Sequence, residues 1–317
     1  MKFAIFSCAG LGDCLLMLIV SENLRRAGHE VTTFHPFMQE MQEWFPELPL
    51  RPFPPKYEEF DQFIVVYEKS AWMKEVLDHC LANHRKETIV LNPIATPNQD
   101  YPYWEEGRFD GGLPFADNLV TFCRTILGIE GAEKENGLVL PKGVKLRSKP
   151  NQVVIHPTSS RPGKNWPRKK FLKLADALKE RGYDPVFVVS PKERAEWPEA
   201  PAFKNLDEMV RCVAESGLMV GNDSGIGHLA SLFGIPTLSL FKNARTADFW
   251  KPAFAPNIAL VPKGWLPNLK GLRWRDKYWH WGISVGRVVR AFDQLRVLRD
   301  QAVNSAALVK EDVVGHS

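Results

Sequence analysis

The sequence predicts an α/β chain made of two doubly wound halves in tandem, and three observations predict it. Within the first 34 residues an apolar strand, a glycine turn, a helical stretch and a second strand follow one another, the βαβ unit of a parallel sheet. A second series of the same kind starts afresh at Val153. The 317 residues suffice for two ordinary cores, and 44% hydrophobic with 25% charged residues excludes a disordered, collagenous or coiled-coil chain.

In the first half, Lys2 to Ser7 reads as a buried strand and Cys8 to Asp13 as a glycine turn. Leu15 to Arg26 reads as a helix that Gly28 stops, and His29 to Phe34 as the second strand. Pro46, Pro49, Pro52, Pro54 and Pro55 mark an extended loop. Gln62 to Tyr67 and Thr88 to Asn92 read as strands around a helix at Ala71 to Asn83. Thr96 to Gly112 reads as a loop, and Ala116 to Leu127 as a helix before Gly128. Pro141 to Gln152 lacks periodicity and is the expected linker, so the N-terminal domain is set at residues 1–145.

The C-terminal domain is set at residues 151–283. Its strands are Val153 to Pro157, Pro185 to Ser190, Leu218 to Gly221 and Thr237 to Phe241. Its helices are Arg168 to Arg181, with Phe171, Leu174 and Leu178 on one face, Asn205 to Ser216, and Gly225 to Phe233. Asn205 and Glu208 stand at capping-box spacing. A last helix, 284–300, is expected to pack back on the N-terminal domain, and 301–317 is expected to be a loose tail. A ligand cleft is expected between the halves.

Several functions are excluded or weakened. A net charge of +4 is too small to argue for nucleic acid, although it suits anionic substrates or an anionic membrane surface. Cys8, Cys14, Cys80, Cys123 and Cys212 are odd in number, scattered and without a CxxC pair. A disulfide framework or zinc site is therefore not expected, and reduced thiols in a cytoplasmic protein are. Gly10, Gly12 and Asp13 interrupt the apolar N-terminus, so it reads as strand, turn and helix rather than a leader. No apolar run is long enough to span a membrane. Without an Asp-x-Asp, HExxH or GxSxG pattern, a metal-dependent transferase, a zinc protease and an α/β-hydrolase lack support. No metal and no cofactor are expected.

Three strand-end segments can carry chemistry. In Ser7–Asp13, small residues at Gly10 and Gly12 allow close backbone approach, but Leu15 stands where a dinucleotide fingerprint wants a third glycine. Asp13 there is either a general base or only a helix cap. His156–Pro167 gathers Ser159, Ser160 and Lys164, groups that suit a diphosphate without Walker A spacing; the alternative is an ordinary polar loop with Trp166 packed on the core. Gly221–Leu229 runs from a strand into a helix, so N–H groups near Ser224 and Gly225 attract phosphate. Asp223 would repel phosphate, so it is expected to orient the loop or meet a hydroxyl; His228 is read first as a packed histidine. A fourth segment, Trp265 to Trp281, interleaves tryptophans with Lys270, Arg273, Arg275 and Lys277. Aromatic packing between the domains is its first reading, and a membrane interface its second.

Together the motifs resemble glycosyltransferase family 9, the ADP-heptose:lipopolysaccharide heptosyltransferases. The residues that carry the resemblance are Ser7–Asp13 (Ser-x-x-Gly-Leu-Gly-Asp), Ser159–Pro167, and Asp223–Leu229 followed by Ala230-Ser-Leu-Phe-Gly-Ile-Pro-Thr. The resemblance implies a GT-B fold, two Rossmann-like doubly wound domains facing across a cleft, with an N-terminal acceptor domain and a C-terminal donor domain. It implies inverting, metal-independent transfer from a nucleotide diphosphate sugar, ADP-heptose first, to a lipopolysaccharide-core or related surface-glycan acceptor. In that frame Asp13 is the general base, Lys164, Ser159 and Ser160 hold the donor diphosphate, Ser224 and Gly225 present N–H groups, Asp223 meets a donor hydroxyl, and Glu193 meets the ribose. His228 joins the donor side, and Gly10 and Gly12 form the acceptor-side loop. A cytoplasmic location follows, with peripheral contact to the inner membrane as an option. The first domain scatters Arg51, Lys56, Arg85 and Lys86 instead of clustering them, and Tyr101–Trp104 offers aromatic rings to a sugar. Another nucleotide sugar for capsule or O-antigen, a nucleotide-sugar epimerase and a non-catalytic nucleotide binder are the competing readings.

Overall fold

Apolar runs too short for helices and unbroken by polar alternation become parallel strands covered on both faces. Ala4, Ile5 and Phe6 in the first strand and Val153, Val154 and Ile155 in the sixth are all fully buried. A computed structural model of the chain describes residues 1–53, 55–92, 109–263 and 278–314. It divides into two units, Met1–Gly143 and Val144–Ser317.

In unit 1 the strands are β1 (Lys2–Phe6), β2 (Glu30–Phe34), β3 (Leu50–Arg51), β4 (Gln62–Val66) and β5 (Thr88–Leu91). They form one parallel sheet in the order β3-β2-β1-β4-β5. The helices are α1 (Leu11–Arg26), α2 (Ala71–Asn83) and α3 (Phe115–Thr125). α1 is apolar almost all round, with Cys14 to Val20 buried, so it needs cover on more than its sheet-facing side. α3 packs on it, and the following loop is tied to it: the Asn136 amide donates to the Leu15 carbonyl, and the Asn23 side chain bonds both the carbonyl and the N–H of Glu133.

In unit 2, β6 (Lys149–His156), β7 (Asp184–Phe187), β8 (Ser216–Asn222), β9 (Thr237–Leu240) and β10 (Asn257–Leu260) form a second parallel sheet, ordered β10-β9-β8-β6-β7. Around it lie α4 (Arg168–Lys179), α5 (Leu206–Glu215), α6 (Gly225–Leu232), α7 (Ala244–Trp250) and α8 (Val285–Val314). The Asn205 side chain caps α5 by accepting from the Glu208 N–H at 2.9 Å.

Each strand order reverses direction once, at β1/β4 in the first sheet and at β6/β8 in the second. Open parallel sheets bind ligands outside the carboxyl ends of the strands at such a point.

Some elements differ from expectation. α1 begins at Leu11, so Gly12 and Asp13 lie in its first turn and not in the preceding loop; Gly10 is the N-cap, and an acid in the first turn suits the helix dipole. The proline-rich stretch contains β3, a two-residue edge strand between Pro49 and Pro52. An edge position tolerates flanking prolines because only one side of the strand is paired. α7 and β10 extend the second sheet beyond the expected last strand, with Asn243 capping α7 through the Thr246 N–H. The final helix does not stop near 300 but runs to Val314, where the expectation was a loose tail. Its later sequence, with Ala302, Ala306, Ala307 and Leu308 and no glycine or proline before Gly315, contains no helix breaker. Val288, Phe292 and Leu295 join the core of unit 2 with Phe171 and Leu178 of α4. Each such side chain contributes about 1.5–3 kcal/mol of burial.

Candidate active site

At the β1/β4 point of unit 1, the chain leaves β1 through Ser7 and enters α1 at Leu11. The Asp13 carboxylate folds back over Gly10: a Cβ at position 10 would lie 2.3 Å from Asp13 Oδ2. Glycine is therefore needed at 10 for space and not for an unusual dihedral, since its φ is −73° and ψ 132°. Glu68, just beyond β4, holds the same loop by accepting from the Ala9 N–H at 2.6 Å. Burial first, and then the nearby carboxylates of Asp13 and Glu68, push the Cys8 thiol up, which leaves it inert.

His35, at the end of β2, completes this edge. Its Nδ1 accepts from the Phe37 N–H at 3.3 Å, so Nε2 carries the proton. That Nε2 is buried without a hydrogen-bond partner among the described residues. Burial pushes the imidazole down to about 4, opposed by backbone groups of Gly10, Ala9 and Cys8. Neither Glu68 nor His35 belongs to a recognisable motif, and strand-end position is the one sequence signal that marks them.

At the β6/β8 point of unit 2 the two expected loops meet. Lys164 Nζ pairs with Asp223 Oδ2 at 2.6 Å, joining residues that the sequence separates by 59 positions. One amide fixes both ends of the first loop: Asn222 Nδ2 donates to the Pro157 carbonyl at 2.6 Å, and its Oδ1 accepts from the Trp166 N–H at 3.0 Å. Ser159 Oγ donates within the loop, to Asn165 Oδ1 at 2.7 Å and the Arg161 carbonyl at 3.0 Å, while Ser160 is exposed. Ser224 is the N-cap of α6 but makes no capping bond with its hydroxyl, and Gly225 opens the helix.

Three buried polar atoms on this edge have no partner among the described residues: Thr158 Oγ1, Ser224 Oγ and His228 Nδ1. Buried polar groups are ordinarily satisfied, so three orphans beside a lysine and a helix N-terminus mark a place for a polar ligand. Burial pushes His228 down to about 4 against the pull of Asp223, so the ring is neutral at pH 7. His156 is likewise buried and pushed down, its Nδ1–H donating to the Val188 carbonyl at 2.6 Å.

Glu193 is differently engaged: its Oε2 accepts from both the N–H (2.9 Å) and the hydroxyl (2.6 Å) of Ser190, closing its own loop. Of the aromatic segment, Trp265, Trp274 and the four basic residues lie outside the described residues, as does Tyr101–Trp104. Trp279 is buried in the core of unit 2, and Trp281 is exposed.

Two parallel doubly wound sheets, each with its polar loops at the point where strand order reverses, define a GT-B-type α/β protein. Residues 130–268 match the family model "Glycosyltransferase family 9 (heptosyltransferase)". Lipopolysaccharide heptosyltransferase 3 of Escherichia coli is 27% identical over 196 residues, 51% of this chain and 57% of that protein. The chain thus spans about half the length of the curated relatives it matches. The structure of Escherichia coli ADP-heptose lipopolysaccharide heptosyltransferase II superposes with a TM-score of 0.65 at 18% identity, covering 95% of this chain and 99% of that one. Escherichia coli heptosyltransferase WaaC with ADP-2-deoxy-2-fluoro heptose gives a TM-score of 0.63 at 12% identity, covering 93% and 99%.

Proposed function

We propose that this chain is an inverting, metal-independent glycosyltransferase that moves a heptose from ADP-heptose to a lipopolysaccharide-core or related surface-glycan acceptor on the cytoplasmic side of the membrane. Unit 2 binds the donor and unit 1 the acceptor. The observation that carries the reading is the meeting of Lys164, Asp223 and the α6 N-terminus at the β6/β8 point. The names of the relatives point to heptose, and the sugar nucleotide on WaaC makes ADP the first nucleotide to test. Among the described residues no helix is long and apolar enough to cross a membrane.

The mechanism follows from charge. As the bond from the anomeric carbon to the diphosphate oxygen breaks, negative charge grows on the leaving group. Lys164, the α6 N–H groups with Ser224 and Gly225, and the Ser159 and Ser160 hydroxyls stabilise that charge as fixed donors. Asp223, released from Lys164 by the diphosphate, accepts from a donor hydroxyl, and neutral His228 offers a ring nitrogen to the same ligand. Glu193 meets the ribose once its loop bonds to Ser190 are exchanged. Asp13 takes the proton of the acceptor hydroxyl as that oxygen attacks the opposite face, which inverts the centre. No covalent intermediate forms, and Lys164 supplies the charge that a metal supplies elsewhere.

A melting scan against ADP, UDP, GDP, CMP and NAD tests the donor site. ADP at a hundred times its dissociation constant is expected to stabilise the wild type by about 2.7 kcal/mol. Lys164→Ala should abolish most of that shift, because it removes an attraction and leaves the Asp223 carboxylate facing the phosphates. Adding Asp223→Asn should restore part of it. A wild type that responds only to NAD, or to nothing, overturns the reading.

Gly10→Ala tests the acceptor side. Alanine adopts the backbone angles at position 10, so stability should hold within about 1 kcal/mol. The added methyl must push the Asp13 carboxylate aside. A base displaced by about 1 Å should cost roughly a hundredfold in turnover. Unchanged turnover with an intact fold would remove Asp13 from the chemistry.

A further inference from the structure

We propose that Trp279 is a positioning residue that places the Lys164 amine through a hydrogen bond to the backbone of the preceding residue. The inference rests on the reading that Lys164 holds the donor diphosphate.

The turn that carries Lys164, Pro162–Lys164, projects from the body of unit 2, and Arg161, Pro162 and Gly163 are exposed. Its internal bonds, from the Lys164 N–H to the Arg161 carbonyl and from Ser159 Oγ to the same carbonyl, shape the turn without attaching it to the core. Besides the Lys164–Asp223 pair, two bonds to the backbone beside Lys164 attach the turn among the described residues. The Trp166 N–H is held by Asn222 on one side of Lys164. On the other, the Trp279 indole Nε1–H donates to the Gly163 carbonyl at 3.1 Å, across 116 positions of sequence.

The indole is itself firmly seated. Its side chain is 1% exposed, and it stands in the one-turn helix Trp279–Gly282. Lys170 Nζ of α4 donates to the carbonyls of His280 at 2.6 Å and Ile283 at 2.9 Å. The Trp166 indole donates to the Ile283 carbonyl at 3.0 Å, and Arg287 Nη1 to the Gly282 carbonyl at 2.7 Å. Four bonds from three side chains therefore fix the bracket from which Trp279 reaches out.

The chemistry at the two ends of that bond separates placement from stability. The bond is only part-buried and Gly163 is an exposed residue, so loss of the indole N–H is expected to cost little stability. What is lost is the fixed distance between the bracket and the residue before Lys164. The benzenoid part of the indole has the complementary role: it fills the core and makes no polar contact with the turn.

Two substitutions divide these roles. Trp279→Phe keeps a buried ring and removes the donor. Trp279→His keeps a ring N–H that overlays the indole Nε1 position and removes the core-filling ring. Affinity for ADP is measured by titration calorimetry, and stability by thermal melting, on both variants, on Lys164→Ala, and on the Trp279→Phe/Lys164→Ala double variant. Trp279→Phe should weaken ADP about 3- to 10-fold, the range one neutral hydrogen bond gives, with little change in melting temperature. Trp279→His should melt earlier while keeping more of the affinity than Trp279→Phe does. In the double variant the Phe substitution should add nothing to the loss from Lys164→Ala, because both act on one group. If Trp279→Phe binds ADP as the wild type does while Lys164→Ala is weakened, the positioning role is overturned and the lysine's role stands. Additive losses in the double variant also overturn it. If Lys164→Ala itself binds ADP normally, the assignment of Lys164 fails, and the inference fails with it.

Discussion

Asp13→Asn is expected to lower turnover by about a hundred- to ten-thousand-fold, the range typical of a lost general base. Asparagine matches the carboxylate in shape, so Gly10, the first turn of α1 and the loop bond from Ala9 to Glu68 should all persist. On the proposed division of labour nucleotide binding lies in the other unit, so it should be unchanged. The signature is therefore a fall in kcat with an unaltered ADP-induced melting shift. A variant that retains near-normal turnover would reduce Asp13 to a helix-terminus acid, worth about 0.3–1 kcal/mol to α1 and nothing to the chemistry.

Acidification is expected to destabilise both units. His35 in unit 1 and His228 in unit 2 are each pushed down to about 4 by burial, from an ordinary value of 6.5. The folded pKa lies below the unfolded one, so as pH falls past 6.5 the unfolded chain takes up protons that the native imidazoles refuse. Their contribution is fully present above about pH 6.5, declines down to about pH 4, and changes little below that. At 1.36 kcal/mol per pKa unit, each histidine accounts for about 3 kcal/mol across that window. Urea melts of the wild type at pH 7, 5.5 and 4.5 should show this loss. His35→Gln and His228→Asn should each flatten the profile even where they lower stability at pH 7. Parallel profiles in wild type and variants would show that the loss comes from other groups.

Much of this architecture is legible in the sequence. The alternation of apolar runs with glycine-stopped helices gave the two parallel sheets, because buried strands and amphipathic helices leave different periodicities. Asp13, Lys164 and Asp223 could be singled out because they follow strands, and parallel strands deliver the residues after their carboxyl ends to one edge. What escaped depended on partners distant in sequence. Gly12 reads as a breaker, yet it lies inside α1 because Gly10 already supplies the cap. The bonds from Ser190 to one Glu193 oxygen, within the same loop, have no signature in the sequence. Asn222 and Trp279 have no motif of their own; each matters through a backbone carbonyl, and a carbonyl leaves no mark in a sequence.

The ion pair between Lys164 and Asp223 also bears on selectivity. A tethered counter-ion competes with incoming anions at an effective concentration far above that of any dissolved salt, in the millimolar range or higher. Chloride or a single phosphate offers the lysine no more than the carboxylate already gives, and it strands that carboxylate. A sugar diphosphate brings two charges for the cation and a hydroxyl for the displaced acid. On the proposed reading, the Lys164–Asp223 pair competes with incoming anions and yields only to a ligand able to satisfy both partners at once.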